Sequence, residues 1–206
     1  MAAPAQVSGT GGPINYSVKF GYTGPFTATP RGLIPAATNA GTVTDDPTDS
    51  FAPGGPGTVF FDVVIPASST HARFSLFNAF TDGNDDLDLY VFVGTTLVGV
   101  SAGGTSDEEI NFVNPTGPTP VTVRVYIHGF ATDGPDSNFT LFSWVLGSAD
   151  AGNMGVAAPA SATLGTTGTI NLTFTGLAPA TKYLGSVAYS GAAGMPNPTI
   201  VRVDTP

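Results

Sequence analysis

The sequence has no cysteine, little charge and few residues that favour a long helix, and each shortage excludes something. Without Cys there is neither a disulfide nor a thiolate metal site, and two His are too few to build a zinc site from imidazoles. Charged residues are only 10% of the 206, too few for the salt-bridged outer faces of surface helices, and 27 Gly with 18 Pro interrupt any period of 3.6. Six Lys and Arg against fifteen Asp and Glu leave a formal charge of −9, which repels phosphate backbones and anionic lipid alike, so nucleic acid is not an expected partner. No apolar run approaches the ~20 residues that cross a bilayer. Met1-Ala-Ala-Pro-Ala-Gln6 lacks both the basic start and the apolar core of a secretory leader, and reads as the start of a fragment.

What is present is a succession of short Val, Ile, Phe and Thr runs bounded by Gly, Pro, Asn and Asp, the pattern of an all-β sandwich protein. Ile14, Tyr16, Val18, Phe20 and Tyr22 alternate with polar residues. Val59, Phe61, Val63 and Ile65 share a face until Pro66, and Phe74, Leu76 and Phe80 are expected on another. The cleanest strand is Val121–His128, with Val121, Val123, Val125 and Ile127 facing in. Its outward row of Thr122, Arg124, Tyr126 and His128, extended to Phe130, is a candidate ligand face. Asn138–Leu146 is apolar on both faces and carries Trp144, a further candidate for that face.

Small and polar residues take over at Gly147–Asn153, which places a boundary there. The expected organisation is an N-terminal strand segment over 1–31, a sandwich over 32–148 and a smaller sandwich over 149–206, with the first segment packing on the last. Ile14-Asn15 and Ile170-Asn171 echo one another, read as two strands built under the same constraints. Asn15, Asn138 and Asn171 each precede a Ser or Thr by two positions and read as strand residues rather than glycan carriers.

The most acidic stretch is Asp82-Gly-Asn-Asp-Asp-Leu-Asp88. Four carboxylates in seven residues either stay solvated or take up a hard cation, for which calcium is the candidate and Asp82, Asn84, Asp85, Asp86 and Asp88 the ligands. Asp86 and Asp88 project opposite Leu87 and Leu89, so both reach one ion while the leucines enter the core. Asp133 lies in a separate Gly-Pro loop and is expected to take no part. Glu108-Glu109 is the only pair of Glu and reads as a solvated strand edge.

Asp86-Leu-Asp-Leu-Tyr-Val-Phe92, preceded by Ala72-Arg-Phe-Ser-Leu-Phe77 and followed by Asn138-Phe-Thr-Leu-Phe-Ser-Trp144, resembles the pre-peptidase C-terminal domain that follows the catalytic domain of secreted bacterial proteases. Gly168–Leu177, Lys182–Ser186 and Thr199–Asp204 resemble the end of subtilisin-like serine proteases with long C-terminal extensions. The resemblance covers most of the chain. It implies a jelly-roll-like sandwich followed by a fibronectin- or immunoglobulin-like one, an extracellular location, and a cation shared between the loop above and the earlier turn with Asp45, Asp46 and Asp49. The Asp, His and Ser blocks of the subtilisin-like catalytic domain are missing.

No other chemistry is written in the sequence. His71 and His128 are the only imidazole bases and neither stands in a nucleophile context. No Gly-rich run is followed by Lys and a helix, and the crowded acids of the loops suit a cation better than a glycosidase pair. Two readings follow. The chain is the non-catalytic accessory region of a secreted subtilisin-like protease, stabilised by calcium and assisting folding, export or substrate engagement. The alternative is a free-standing extracellular binding or assembly protein, with Tyr126, Phe130, Trp144 or Tyr183 as anchors for glycan or fibrous protein.

Overall fold

A computed structural model describes all 206 residues. The all-β class holds: the chain forms seventeen strands and one 3-10 turn at Asn78–Phe80. The N-terminal part supplies β1 (Gln6–Gly9), β2 (Ile14–Lys19), β3 (Gly24–Pro25) and β4 (Thr27–Pro35). The middle supplies β5 (Ala37–Thr44), β6 (Thr58–Ile65), β7 (His71–Ser75), β8 (Asp86–Val93), β9 (Thr96–Ser101), β10 (Glu109–Val113), β11 (Val121–Ala131) and β12 (Asp136–Leu146). The remainder supplies β13 (Met154–Ala157), β14 (Ser161–Ala162), β15 (Thr167–Phe174), β16 (Lys182–Ser190) and β17 (Thr199–Asp204).

Residues 1–36 and 146–206 form one compact unit. Its larger sheet has the order β1-β17-β16-β4, its second β13-β15-β2, and a short ladder joins β14 to β3. Only β1 and β17 run parallel among these pairs. Along β2, Tyr16 and Val18 are buried while Asn15, Ser17 and Lys19 are exposed, the period of two that a half-buried strand requires. Val18, Leu33, Ile170, Leu172, Val187 and Val203 meet in its core. The echoing segments are direct neighbours, Asn15 lying opposite Asn171 and Ile14 opposite Leu172. Residues 32–35 belong to this unit rather than to the middle one because β4 continues to Pro35 against Tyr183 of β16. Buried hydroxyls close a chain from Tyr16 through Tyr189 (2.9 Å) to Thr199 (2.6 Å), which donates to the Pro4 carbonyl (2.7 Å).

Residues 37–145 form the second unit, two four-stranded sheets of order β10-β7-β12-β5 and β6-β11-β8-β9. Leu87, Leu89 and Val91 of β8 and Val123, Val125 and Ile127 of β11 are buried with Phe74, Phe139 and Leu141 in its core. The expected face of Phe74, Leu76 and Phe80 is cut short. Strand β7 stops at Ser75, and the 3-10 turn leaves Phe80 exposed with its ring edge-on to Phe142 at 4.7 Å.

Leu89 is fully buried on β8, paired on one side with Ile127 of β11. Leu89→Ala should therefore cost about 2–5 kcal/mol, read as a fall in the urea midpoint of the transition that this unit contributes.

Candidate functional site

The outer face of the β6-β11-β8-β9 sheet carries Asp88, Tyr90 and Phe92 from β8 and Arg124, Tyr126, His128 and Phe130 from β11. The sequence presents the β11 row as open to solvent, yet Tyr126 is 6% and His128 1% exposed. The cover is the segment after β5, which folds back over the sheet. Asp46 N–H donates to the Gly129 carbonyl and Gly129 N–H to the Gly57 carbonyl, both at 2.9 Å. Side chains have no room at this crossing. A Cβ on Gly129 would stand 2.5 Å from the Thr44 oxygen, and one on Gly57, whose φ is +61°, 2.6 Å from Asp46 Cβ.

The Asp46 side chain fixes the segment. Its Oδ1 accepts from Thr48 N–H and Oγ–H, both at 2.9 Å, and its Oδ2 from His128 Nε2 at 2.9 Å and Ser50 N–H at 3.3 Å. The His128 contact first, and the Thr48 amide second, hold this carboxyl down at about 2. The other ring nitrogen of His128 faces Asp88 Oδ2 at 3.4 Å. With both nitrogens turned to carboxylates, neither is free to take a proton from a hydroxyl nucleophile. The segment delivers Phe51 flat onto Tyr90, ring centres 3.7 Å apart and planes 4° off parallel, and edge-on to Tyr126 at 5.6 Å.

Beside this stack lies a recess of about 220 Å³ lined by Asp49, Phe51, Asp88, Tyr90, Ala102, Gly103, His128 and Phe130. Phe130 is 37% exposed at its mouth, and its ring meets His128 at 6.2 Å. Burial holds the Asp88 carboxyl above its ordinary range, opposed by His128 and reinforced by Asp86 and Glu108. Burial and then the Asp88 charge push the Tyr90 phenol up to about 12. Two of the candidate metal ligands, Asp49 and Asp88, and two of the candidate ligand-face residues, His128 and Phe130, thus meet in one place. Phe51 and Tyr90 are added by the fold. The signal for Phe51 was a lone aromatic directly after an acidic turn.

The remaining candidates are distributed differently. Asp82 accepts from the Asn138 backbone (2.8 Å) and side chain (2.6 Å), Asp85 from Ser137 (2.7 Å) and the Asp133 amide (3.1 Å), and Asp45 from the Thr132 amide (2.9 Å). Asp133, though on a separate loop, touches the acidic one: its Oδ2 accepts from the Asn84 amide at 2.9 Å and its carboxylate stands where a side chain on Gly83 would go. No group of three or more His, Asp or Glu is placed to hold a metal ion, the carboxylates being spent on separate hydrogen bonds. Asp86 differs, because its Oδ1 is buried and has no partner. Glu108 is buried rather than a solvated edge, since its carboxylate accepts from Ser101 Oγ–H and from the Gly103 amide at 2.5 Å. Glu109 pairs with Arg73 at 3.1 Å. Trp144 is 2% exposed and stacked with Phe142 at 6.2 Å, so it offers no surface to a ligand.

The units define an all-β protein of the sandwich kind. No protein-family model matches the chain, and no curated protein does. Among solved structures it is similar to a family two carbohydrate esterase from Cellvibrio japonicus, at 9% identity over 65% of this chain and 34% of that one, with a TM-score of 0.26. The chain therefore spans about a third of that protein's length. A likeness of that extent leaves fold and function to the residues themselves.

The Asp46 carboxyl lies lower in the folded chain, at about 2, than its ordinary 3.8. Its contribution to stability is thus complete above pH 3.8 and is lost as the pH falls through about 2. Asp46→Asn should melt below the parent at neutral pH, with the two melting temperatures converging from about pH 4 to about pH 2. A constant gap across that window would show that the shape of the side chain, not its charge, holds the segment.

Proposed function

We propose that this chain is a non-catalytic extracellular binding module that works beside the catalytic domain of a secreted subtilisin-like protease and engages protein substrate through the recess beside Phe51. The observation that carries the reading is the recess itself, an aromatic and acidic hollow on the outer face of a sheet whose inner face is packed core. The engagement of both His128 nitrogens by carboxylates supports a binding rather than a catalytic role. The protease context rests on the resemblance of Asp86–Phe92 and its flanking strands. The alternative of a free-standing assembly protein draws on β9, an edge strand that leaves Leu97, Val98 and Val100 exposed.

Calcium belongs to the proposal through Asp86. Burial, and then the charge of Glu108, hold its carboxyl above the ordinary range, and a hard cation would satisfy its unpartnered Oδ1. An ion at a hundredfold its Kd stabilises the folded state by about 2.7 kcal/mol. Scanning calorimetry should show the melting temperature falling on chelation and recovering with added calcium, a response absent in Asp86→Asn. No calcium dependence in the parent would remove the ion from the reading.

The binding role is tested by sedimentation with insoluble collagen, elastin and chitin, comparing the parent with Phe130→Ala. Retention on a protein fibre that Phe130→Ala weakens severalfold is the expected result. Retention unchanged by the substitution would rule out the recess, and retention on none of the three would rule out the module.

A further inference from the structure

The recess also indicates what kind of group it takes, an inference that rests on the binding role just proposed. We propose that it accepts one basic side chain, lysine or arginine, of a partner protein. The walls are the aromatic rings of Phe51, Tyr90 and Phe130 with the carboxylates of Asp49 and Asp88, and no Lys or Arg lines it. Negative charge is in excess there. His128 is the single base among the lining residues and is shared between Asp46 at 2.9 Å and Asp88 at 3.4 Å, so one imidazole faces Asp46, Asp49 and Asp88, while Asp86 and Glu108 act on Asp88 from nearby.

The same sheet face shows how this chain satisfies such a combination. Two same-face positions along β11 from His128, the Arg124 guanidinium lies 3.9 Å from the centre of the Phe60 ring and bonds both Asp62 oxygens, at 2.7 and 2.8 Å. That arrangement of ring, carboxylate and cation is complete within the chain. In the recess the rings and carboxylates are present and the cation is not.

Other occupants fit less well. A sugar needs donors as well as acceptors, but both His128 nitrogens face carboxylates and the Tyr90 hydroxyl is directed at Asp88. An uncharged apolar group would desolvate Asp88 further without pairing it. About 220 Å³ is below the roughly 300 Å³ at which drug-sized pockets begin, which suits one side chain rather than a larger ligand.

The test is an amide-shift titration of the whole chain by NMR, after chelation, with Nα-acetyl-lysine amide and Nα-acetyl-arginine amide. Nα-acetyl-norleucine amide, Nα-acetyl-citrulline amide and methyl glucoside serve as uncharged comparisons. The basic probes alone should give saturable shifts at Phe51, Tyr90, Gly103 and Phe130. Phe130→Ala should weaken them about two- to fivefold, the weight of one exposed cation–π contact. Asp49→Asn is a second variant that keeps the fold, because Asn tolerates the φ of +48° found there, and it should weaken binding and flatten its salt dependence. Equal binding of norleucine or citrulline amide, binding of the glucoside instead, or displacement of the basic probes by millimolar calcium would each overturn the proposal. If fibre retention depends on Phe130 while the basic probes move nothing, the binding role stands and this inference falls. If the basic probes bind as described while retention ignores Phe130, the inference holds and the binding role fails.

Discussion

The buried carboxylate of Asp46 ties a connecting loop to the middle of a sheet, and the outer surface of the second unit follows from that tie. Its partners are two amides and a hydroxyl from its own turn and one ring nitrogen of His128, so the side chain both shapes the turn and docks it. A buried charge survives only if its partners replace the water it has lost. Four protein donors do so here, and the backbone crossing at Gly57 and Gly129 brings the loop close enough for them to reach. Phe51 then lies on Tyr90 because the turn ends there. The recess is the space left between that ring, the two strands below it and the 102–103 loop.

The acidic loop follows the same economy on a smaller scale. Asp82 and Asp85 accept amides of Asn138 and Asp133, and Asp133 accepts the amide of Asn84, so these carboxylates cross-link the acidic loop to the 133–138 stretch and are spent separately rather than converging. Asp86 stands apart as the one with a buried oxygen left unanswered.

The strands were readable because alternation reports burial directly: Leu87, Leu89, Val123 and Val125 lie inside, as their spacing requires. Less readable was anything decided by a segment distant in sequence. Tyr126 and His128 point outward as the period demands, but a loop about eighty residues earlier covers them, and alternation carries no record of that. Trp144 is buried on a strand apolar on both faces, so its size marked packing rather than display. Glu108 is buried where a solvated edge is expected, because a charged residue in a Gly-rich stretch looks solvated until its amide and hydroxyl partners are known. The expected boundary at 31/32 falls short of the one at 36/37 because β4 runs on to Pro35, which sits at the end of an edge strand, where a missing N–H is tolerated.

The discontinuous unit bears on the order in which the chain gains structure. Its contacts include Thr199 with Pro4, 195 positions apart, and a flexible chain of that length pays the full entropy of closing so large a loop before any contact rewards it. The middle unit changes that cost. Ala37 at the start of β5 pairs with Ser143 near the end of β12, so once residues 37–145 have folded the two flanking pieces leave from neighbouring points. The long tether then behaves as a short one, and the pieces meet at the effective concentration of a brief linker. In a protein divided in sequence by an inserted sandwich, an insert that folds first would thus act as the staple for the two outer pieces.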